Sequence, residues 1–340
     1  MPKDNENILL PLDGPTTPSE PVGFAPSDMI RCDNCLRANP PTRMSCLYCA
    51  ATLPANEASK HLRRPTLLTP DKLDPGYNAI LVAQDQTRDT LSQTAELLKV
   101  PPDELAKILS ANQSLPLART ATYEEAQLLT ARLNELGIDT NVVSDEELGI
   151  TENNLTRVRS ISFEVATLSV STSHCGESVE LKYADLILLI RARLITKRTT
   201  VTERASRGLE NQIIDASEFY ADESVIDFYS CAYPQTFRIT ANSFDFSCLG
   251  NRKALLVNEN TGSLVDLIQS HAGQIEIDNS YNGVRQMLEL VWGAEKVTKS
   301  EGWKRGGPGR FTVGATTTLS NENQFTRYSR LRYFYRQRKS

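Results

Sequence analysis

The chain has 340 residues, 40% of them apolar and 23% charged, with a formal net charge of -5. That length exceeds one ordinary domain, and the apolar content excludes an intrinsically disordered chain. No apolar run approaches the 18 residues of a membrane span, and the start, MPKDNENILLPLDG, lacks the basic-then-apolar order of a signal peptide.

Residues 1–28 hold six prolines among polar residues and read as a flexible arm. The next stretch, 29–54, carries the strongest chemical signal in the chain. Cys32, Cys35, Cys46 and Cys49 form two C-x-x-C knuckles separated by ten residues. This spacing can set four thiolates around one tetrahedral Zn²⁺, so a structural zinc ion is the expected cofactor. Three further cysteines, Cys175, Cys231 and Cys248, are scattered, which predicts a reducing, cytoplasmic setting and not a disulfide framework. The pattern C-x2-C-x3-N-x6-C-x2-C, with Asn39 and Arg43 between the knuckles, resembles the Ran-binding-protein type of zinc finger; a generic zinc ribbon fits about as well. That family's usual Trp two residues before the first Cys is Ile30 here, and the Thr-Phe pair with which some members grip ubiquitin falls at Leu36 and Arg37. Arg37, Arg43 and Tyr48 match loosely the arginines and aromatic that RNA-binding members use.

Residues 55–75 lack periodicity and read as a linker, with His61 surplus to a shell already complete with four thiolates. Over 76–146 the pattern predicts β-α-α-β-α-β. A strand at 77–83 is followed by a helix from Thr90, a second helix after Pro101 and Pro102 with acidic residues in its first turn, and an edge strand at 115–119. A capping box at Thr122 and Glu125 then opens a helix that ends at Gly137, before a last strand at 138–143. This order should give one small sheet with its helices on a single face. It resembles the C-terminal domain of the ribosomal stalk protein and the related adaptor that delivers substrates to Clp proteases. The resemblance implies a protein-docking module without catalytic residues, although the stretch matching the stalk's lysine- and glycine-rich loop, 84–90, holds only Arg88 and no glycine.

Polar residues at 146–160 read as a second linker. A β-rich α+β domain with covering helices is expected over 155–340: strands near 161–170, 178–195, 225–231, 237–241, 244–250 and 253–257, a charged loop or helix at 203–221, helices at 264–270 and 284–292, and a last β-rich stretch from Arg310 to Tyr333. The whole is thus an α+β multidomain protein.

The charge is lopsided. From Lys299 onward there are ten basic and two acidic residues, a tail of +8, which leaves -13 for the rest of the chain. Lys304, Arg305, Arg310, Arg327, Arg330, Arg332, Arg336 and Arg338, interleaved with aromatics, are candidates for an anionic ligand such as RNA; docking of the tail on the acidic body is the alternative. The glycines of Gly306-Gly307-Pro308-Gly309 lack the order of a phosphate loop and read as a turn. His174-Cys175, His271, Asp227, Asp245 and Asp278 could serve catalysis only if folding united them. Together these features suggest a non-enzymatic interaction or scaffold protein with a protein partner, or alternatively an RNA- or ribosome-associated factor.

Overall fold

The computed structural model describes residues 23–54, 62–70, 74–82, 90–150, 154–172, 178–205, 212–307 and 310–338. Most of the expected arm, together with His61, Arg88, His174 and Cys175, lies outside them. The chain divides into two compact units, Met1–Arg64 and Pro65–Ser340.

In the first unit two short antiparallel strands, β1 (Ile30–Arg31) and β2 (Ala38–Asn39), pair Ile30 with Asn39. Its core is small: Ile30, Cys32, Cys46 and Leu53. Arg63, placed in a linker on sequence grounds, folds back and donates from Nη2 to the Leu53 carbonyl at 3.2 Å, while the Arg64 amide reaches the Thr42 carbonyl at 3.0 Å.

The second unit begins with the expected β-α-α-β-α-β order: β3 (Tyr77–Leu81), α1 (Leu91–Leu98), α2 (Pro102–Ser110), β4 (Pro116–Thr120), α3 (Tyr123–Glu135) and β5 (Thr140–Ser144). β3 is central, with β4 and β5 both antiparallel to it. α3 starts because Thr122 Oγ1 accepts the Glu125 amide at 3.3 Å. It ends where Gly137 takes φ +78°, a left-handed conformation that glycine adopts without cost from a Cβ. Ala126, Leu129 and Leu133 of α3 are buried in the module.

A large sheet follows. Its strands are β6 (Leu155–Phe163), β7 (Thr167–Thr172), β8 (Ser178–Lys182), β9 (Leu186–Ala205), β10 (Gln212–Ser230), β11 (Tyr233–Thr240), β12 (Glu276–Asp278), β13 (Glu295–Gly307) and β14 (Arg310–Ser320). They run in the order β13-β14-β9-β10-β11-β6-β7-β8, with β12 parallel to the start of β9. α4 (Val257–His271), α5 (Tyr281–Leu288) and α6 (Glu322–Arg338) complete the unit.

Alternation along β9 assigns its side chains to two cores. Leu188, Ile190, Ala192 and Leu194 join α5, α6 and the whole β-α-α-β-α-β module in one cluster. Leu189, with Ile226, Phe228, Phe237 and Ile239, faces α4 in the other. The module therefore shares its core with the large sheet. The stretch read as a second linker holds buried Leu148 and the start of β6.

Four local expectations are corrected. Residues Phe246–Arg252, in and after the stretch expected as a strand at 244–250, form a 3-10 helix that Asp245 opens by accepting the Ser247 amide at 2.9 Å. Residues 203–221, expected as a loop or helix, lie largely in β9 and β10, which pair from Gln212↔Arg204 to Ser230↔Leu186. Lys253–Leu256 precedes α4 and is not a strand; Asn260 fixes it by accepting the Ala254 amide at 2.7 Å and donating to the Ala254 carbonyl at 3.0 Å. The β-rich ending stops at Ser320, and residues 322–338 are helical. Phe325, Tyr328, Leu331 and Phe334, buried at three-residue spacing, supply the helical stripe.

Candidate metal centre

The two knuckles are built alike. The amide of Leu36 returns to the Cys32 carbonyl at 2.8 Å, and that of Ala50 to the Cys46 carbonyl at 3.0 Å. Leu36 and Ala50 sit at φ +61° and +59°, the residue after the second cysteine in each case. The amides of Cys32 and Cys46 in turn reach the carbonyls of Arg37 and Ala51 at 3.0 and 2.8 Å. Each turn thus presents both of its sulfurs to the same point.

The four Sγ atoms lie within 4.8 Å of one another and are close enough to hold a metal ion. Cys32 and Cys49 are 3.6 Å apart and Cys35 and Cys46 3.5 Å. A tetrahedral ion with metal–sulfur bonds of about 2.3 Å requires sulfur separations of about 3.8 Å. A disulfide would require about 2.05 Å, so this is a cage of four separate thiols.

Polar groups around the cage favour thiolate over thiol. Asn39 is buried and uses its amide fully: Nδ2 donates to Cys46 Sγ at 3.4 Å and to the Arg37 carbonyl at 3.0 Å, and Oδ1 accepts the Leu47 amide at 2.8 Å. The Tyr48 amide also donates to Cys46 Sγ, at 3.4 Å. Burial opposes ionisation of Cys46, but the amides of Tyr48 and Cys49, the Cys35 thiol and Asn39 outweigh it and hold its pKa near 6. The Ala51 amide lowers Cys49. For Cys35 an amide hydrogen bond from Arg37 favours the anion, yet burial and the three neighbouring sulfurs push the thiol up to about 12. Four thiols so close cannot all ionise without a cation among them. Outside the cage, Leu36, Leu47 and Tyr48 are exposed, and the Arg37 guanidinium lies 4.7 Å above the Tyr48 ring.

The basic C-terminal candidates are not gathered into one free surface. Arg327 and Arg330 on α6 are buried. Arg327 Nη1 meets Asp145 Oδ1 at 2.7 Å, and Arg330 donates to the carbonyls of Leu148 and Pro234 at 2.6 and 2.9 Å. Arg332 pairs with Asp278 at 2.6 Å, Arg336 with Glu276 at 3.1 Å, and Arg338 with Glu147 at 3.7 Å while lying 3.9 Å over the Phe334 ring. These five arginines hold α6 against the acidic body. Lys304 and Arg305 belong to β13 and Arg310 to β14, flanking a hairpin in which Gly307 pairs with Arg310; Arg305 is exposed.

The catalytic candidates are likewise separate. Asp227 is fully buried and forms a two-pronged ion pair with Arg238, both contacts at 2.7 Å. Asp278, also buried, accepts from Ser280, Tyr328 and Arg332. Asp245 accepts the Ser247 amide at 2.9 Å, and His271 lies tilted against the rings of Phe163 and Tyr183 with its Nδ1 at the Leu267 carbonyl. None of the contacts made by Asp227, Asp245 or His271 is with another of the three.

Sequence reasoning missed Asp145. It is 1% exposed and accepts from Arg119 at 2.6 Å, Arg327 at 2.7 Å, Asn78 at 2.9 Å and the Gly76 amide at 3.1 Å. Its carboxylate ties the small module to α6. Nothing in the first acid of the run Asp145-Glu146-Glu147 marks it for burial. Comparison with known protein families, curated proteins and solved structures finds no match.

Proposed function

We propose that this chain is a non-enzymatic interaction or scaffold protein whose N-terminal unit is a knob stapled by structural zinc. The observation that carries the reading is the thiol cage itself, with sulfurs at 3.5–3.6 Å and a buried asparagine donating to one of them. Zinc is the divalent ion that four thiolates in tetrahedral array favour. A unit whose core is Ile30, Leu53 and two of the cysteines is too small to fold on apolar burial alone, so metal binding supplies its folding energy. With the interior given over to the cage, Leu36, Leu47 and Tyr48 remain outside as contact residues for a protein partner. The β-α-α-β-α-β module serves as a docking platform of the stalk and adaptor kind, and reduced thiols suit a cytoplasmic setting. Among the described residues no helix is long and apolar enough to cross a membrane.

A second reading, contact with RNA, is favoured by the Arg37–Tyr48 stack at the tip of the knob, a cation and an aromatic face side by side. Purification from its own cells with co-eluting proteins and nucleic acid quantified, with and without nuclease, separates the two. A nuclease-resistant protein partner lost on Leu47→Ser and Tyr48→Ser supports the scaffold reading. RNA that is lost with nuclease, released by moderate salt and absent from Arg37→Ala supports the second.

A further inference from the structure

Beyond Ile195 the large sheet continues past the start of α6. Residues 196–203 of β9 and 213–222 of β10, with β13 and β14, form a four-stranded antiparallel layer. It has two open edges. β13 pairs only with β14, and over 213–222 β10 pairs only with β9 among the described residues, because β11 begins to pair at Val225. On each open edge alternate residues point backbone N–H and C=O groups into solvent, a template for another strand.

The edges match in length and direction. Residues 213–222 and 295–305 are stretches of ten and eleven residues. Because every junction from β13 through β14 and β9 to β10 is antiparallel, β13 and β10 run in opposite directions. A copy added by translation across the sheet would therefore lay its β13 antiparallel to β10 and continue the pattern.

The edges also match in charge. β10 carries Asp215, Glu218, Asp222 and Glu223 with no basic residue from Gln212 to Ser230. Glu218 and Asp222 are shared with Lys197 and Arg193 of β9, and Asp215 is exposed. β13 exposes Lys296, Lys299 and Arg305, while two of its acids are engaged within their own chain: Glu295 accepts from Asn323 of α6 at 2.7 Å and Glu301 from Thr316 of β14 at 3.1 Å. Cations on an edge oppose pairing of β13 with another β13, and acids oppose pairing of β10 with another β10. Beside the acidic edge Ile213, Phe219 and Tyr220 are each 61% exposed, apolar area that an isolated edge strand leaves in water.

We infer that copies of this chain assemble head to tail, the β10 edge of one pairing with the β13 edge of the next to extend a single antiparallel sheet. Such a contact joins two different surfaces, so it propagates into a ring or a filament and does not close as a symmetric dimer. The inference goes beyond the scaffold reading by naming the partner as a second copy, and it stands on the sheet alone, independent of the metal.

Sedimentation velocity of the full chain over a concentration series, at low and high salt, tests it. The expected result is concentration-dependent association that weakens as salt rises. Asp215→Lys with Glu218→Lys, and separately Lys296→Glu, Lys299→Glu and Arg305→Glu, should each sediment as monomer. Mixed one to one, the two variants should associate again, since each then meets edges of opposite charge. Circular dichroism checks the fold, and the single pair Asp215→Lys and Lys299→Glu serves if the fuller reversals disturb it. A wild type that stays monomeric throughout overturns the proposal, as do variants that associate alone as the wild type does or fail to rescue each other when folded. Zinc content does not enter this readout, so failure here leaves the scaffold reading to its own test.

Discussion

Asp145→Asn should rank among the most destabilising single changes of charge in the second unit. The carboxylate is 1% exposed and accepts from two guanidinium groups, Arg119 at 1% and Arg327 at 4% exposure. The amide is isosteric but uncharged, so both cations would stay buried without a counter-charge. Burial already depresses the Arg327 pKa despite Asp145, and the neighbouring Arg119 depresses it further. Breaking a buried pair in this way costs about 3–5 kcal/mol. For a unit of this size that is a fall in Tm of roughly 10 °C. The Asn78 side chain links the site to Trp292, whose Nε1 donates to Asn78 Oδ1 at 2.9 Å, so tryptophan fluorescence and far-UV circular dichroism should both record the loss. Glu180→Gln, on an exposed strand position, should stay within about 0.5 kcal/mol of wild type. Adding Arg327→Met to Asp145→Asn should recover part of the loss by removing one stranded cation. If Asp145→Asn lowers Tm no more than Glu180→Gln does, the network is not what binds the module to α6.

Arg238→Met, which strands Asp227 in the sheet interior, should cost a similar ~3–5 kcal/mol by chemical denaturation. Burial opposes the charge of Asp278, but Ser280, Arg332 and Tyr328 outweigh it and hold its pKa below the ordinary carboxylate value. A depressed carboxylate stabilises the folded state above its unfolded pKa, about 4, and that share is lost as pH falls through the lower folded value. Asp278→Asn should therefore flatten the acid limb of the stability profile below about pH 4. Asn39→Ala removes a donor to Cys46 and the acceptor of the Leu47 amide, and should weaken metal affinity by about 10–100-fold in a competition titration with a chromophoric chelator.

The parts of the structure that sequence made legible are those with local causes. Two C-x-x-C turns specify their own geometry, and Thr122, Gly137 and the apolar stripe of α3 declare that helix without help from the rest of the chain. Where tertiary context decides, the pattern misled. Residues 196–203 of β9 and 213–222 of β10 are exposed or half-buried on both faces, so they lack the one-sided alternation that marks an ordinary strand. In α6 the interleaving Arg330-Leu331-Arg332-Tyr333 mimics a strand, because Arg327 and Arg330 occupy interior positions that periodicity reserves for apolar residues. Their partners Asp145, Leu148 and Pro234 lie some 95 to 180 positions away in the chain, and only the fold brings them together. The same long reach turns the five arginines of α6 to internal partners, whereas Lys299 and Arg305 of the same basic tail stay exposed on β13.

The central claim is that Cys32, Cys35, Cys46 and Cys49 hold one structural zinc ion on which the first unit depends. Metal analysis of the purified chain by mass spectrometry, repeated on Cys46→Ser and after chelation, tests it most directly, with proteolysis between Gly23 and Arg64 as the reporter of folding. The expected result is one zinc per chain, its loss in the variant, and cleavage confined to the first unit once the metal is gone while the second unit keeps its thermal transition. A full-length chain that carries no zinc, or whose first unit resists protease equally with and without it, would contradict the claim.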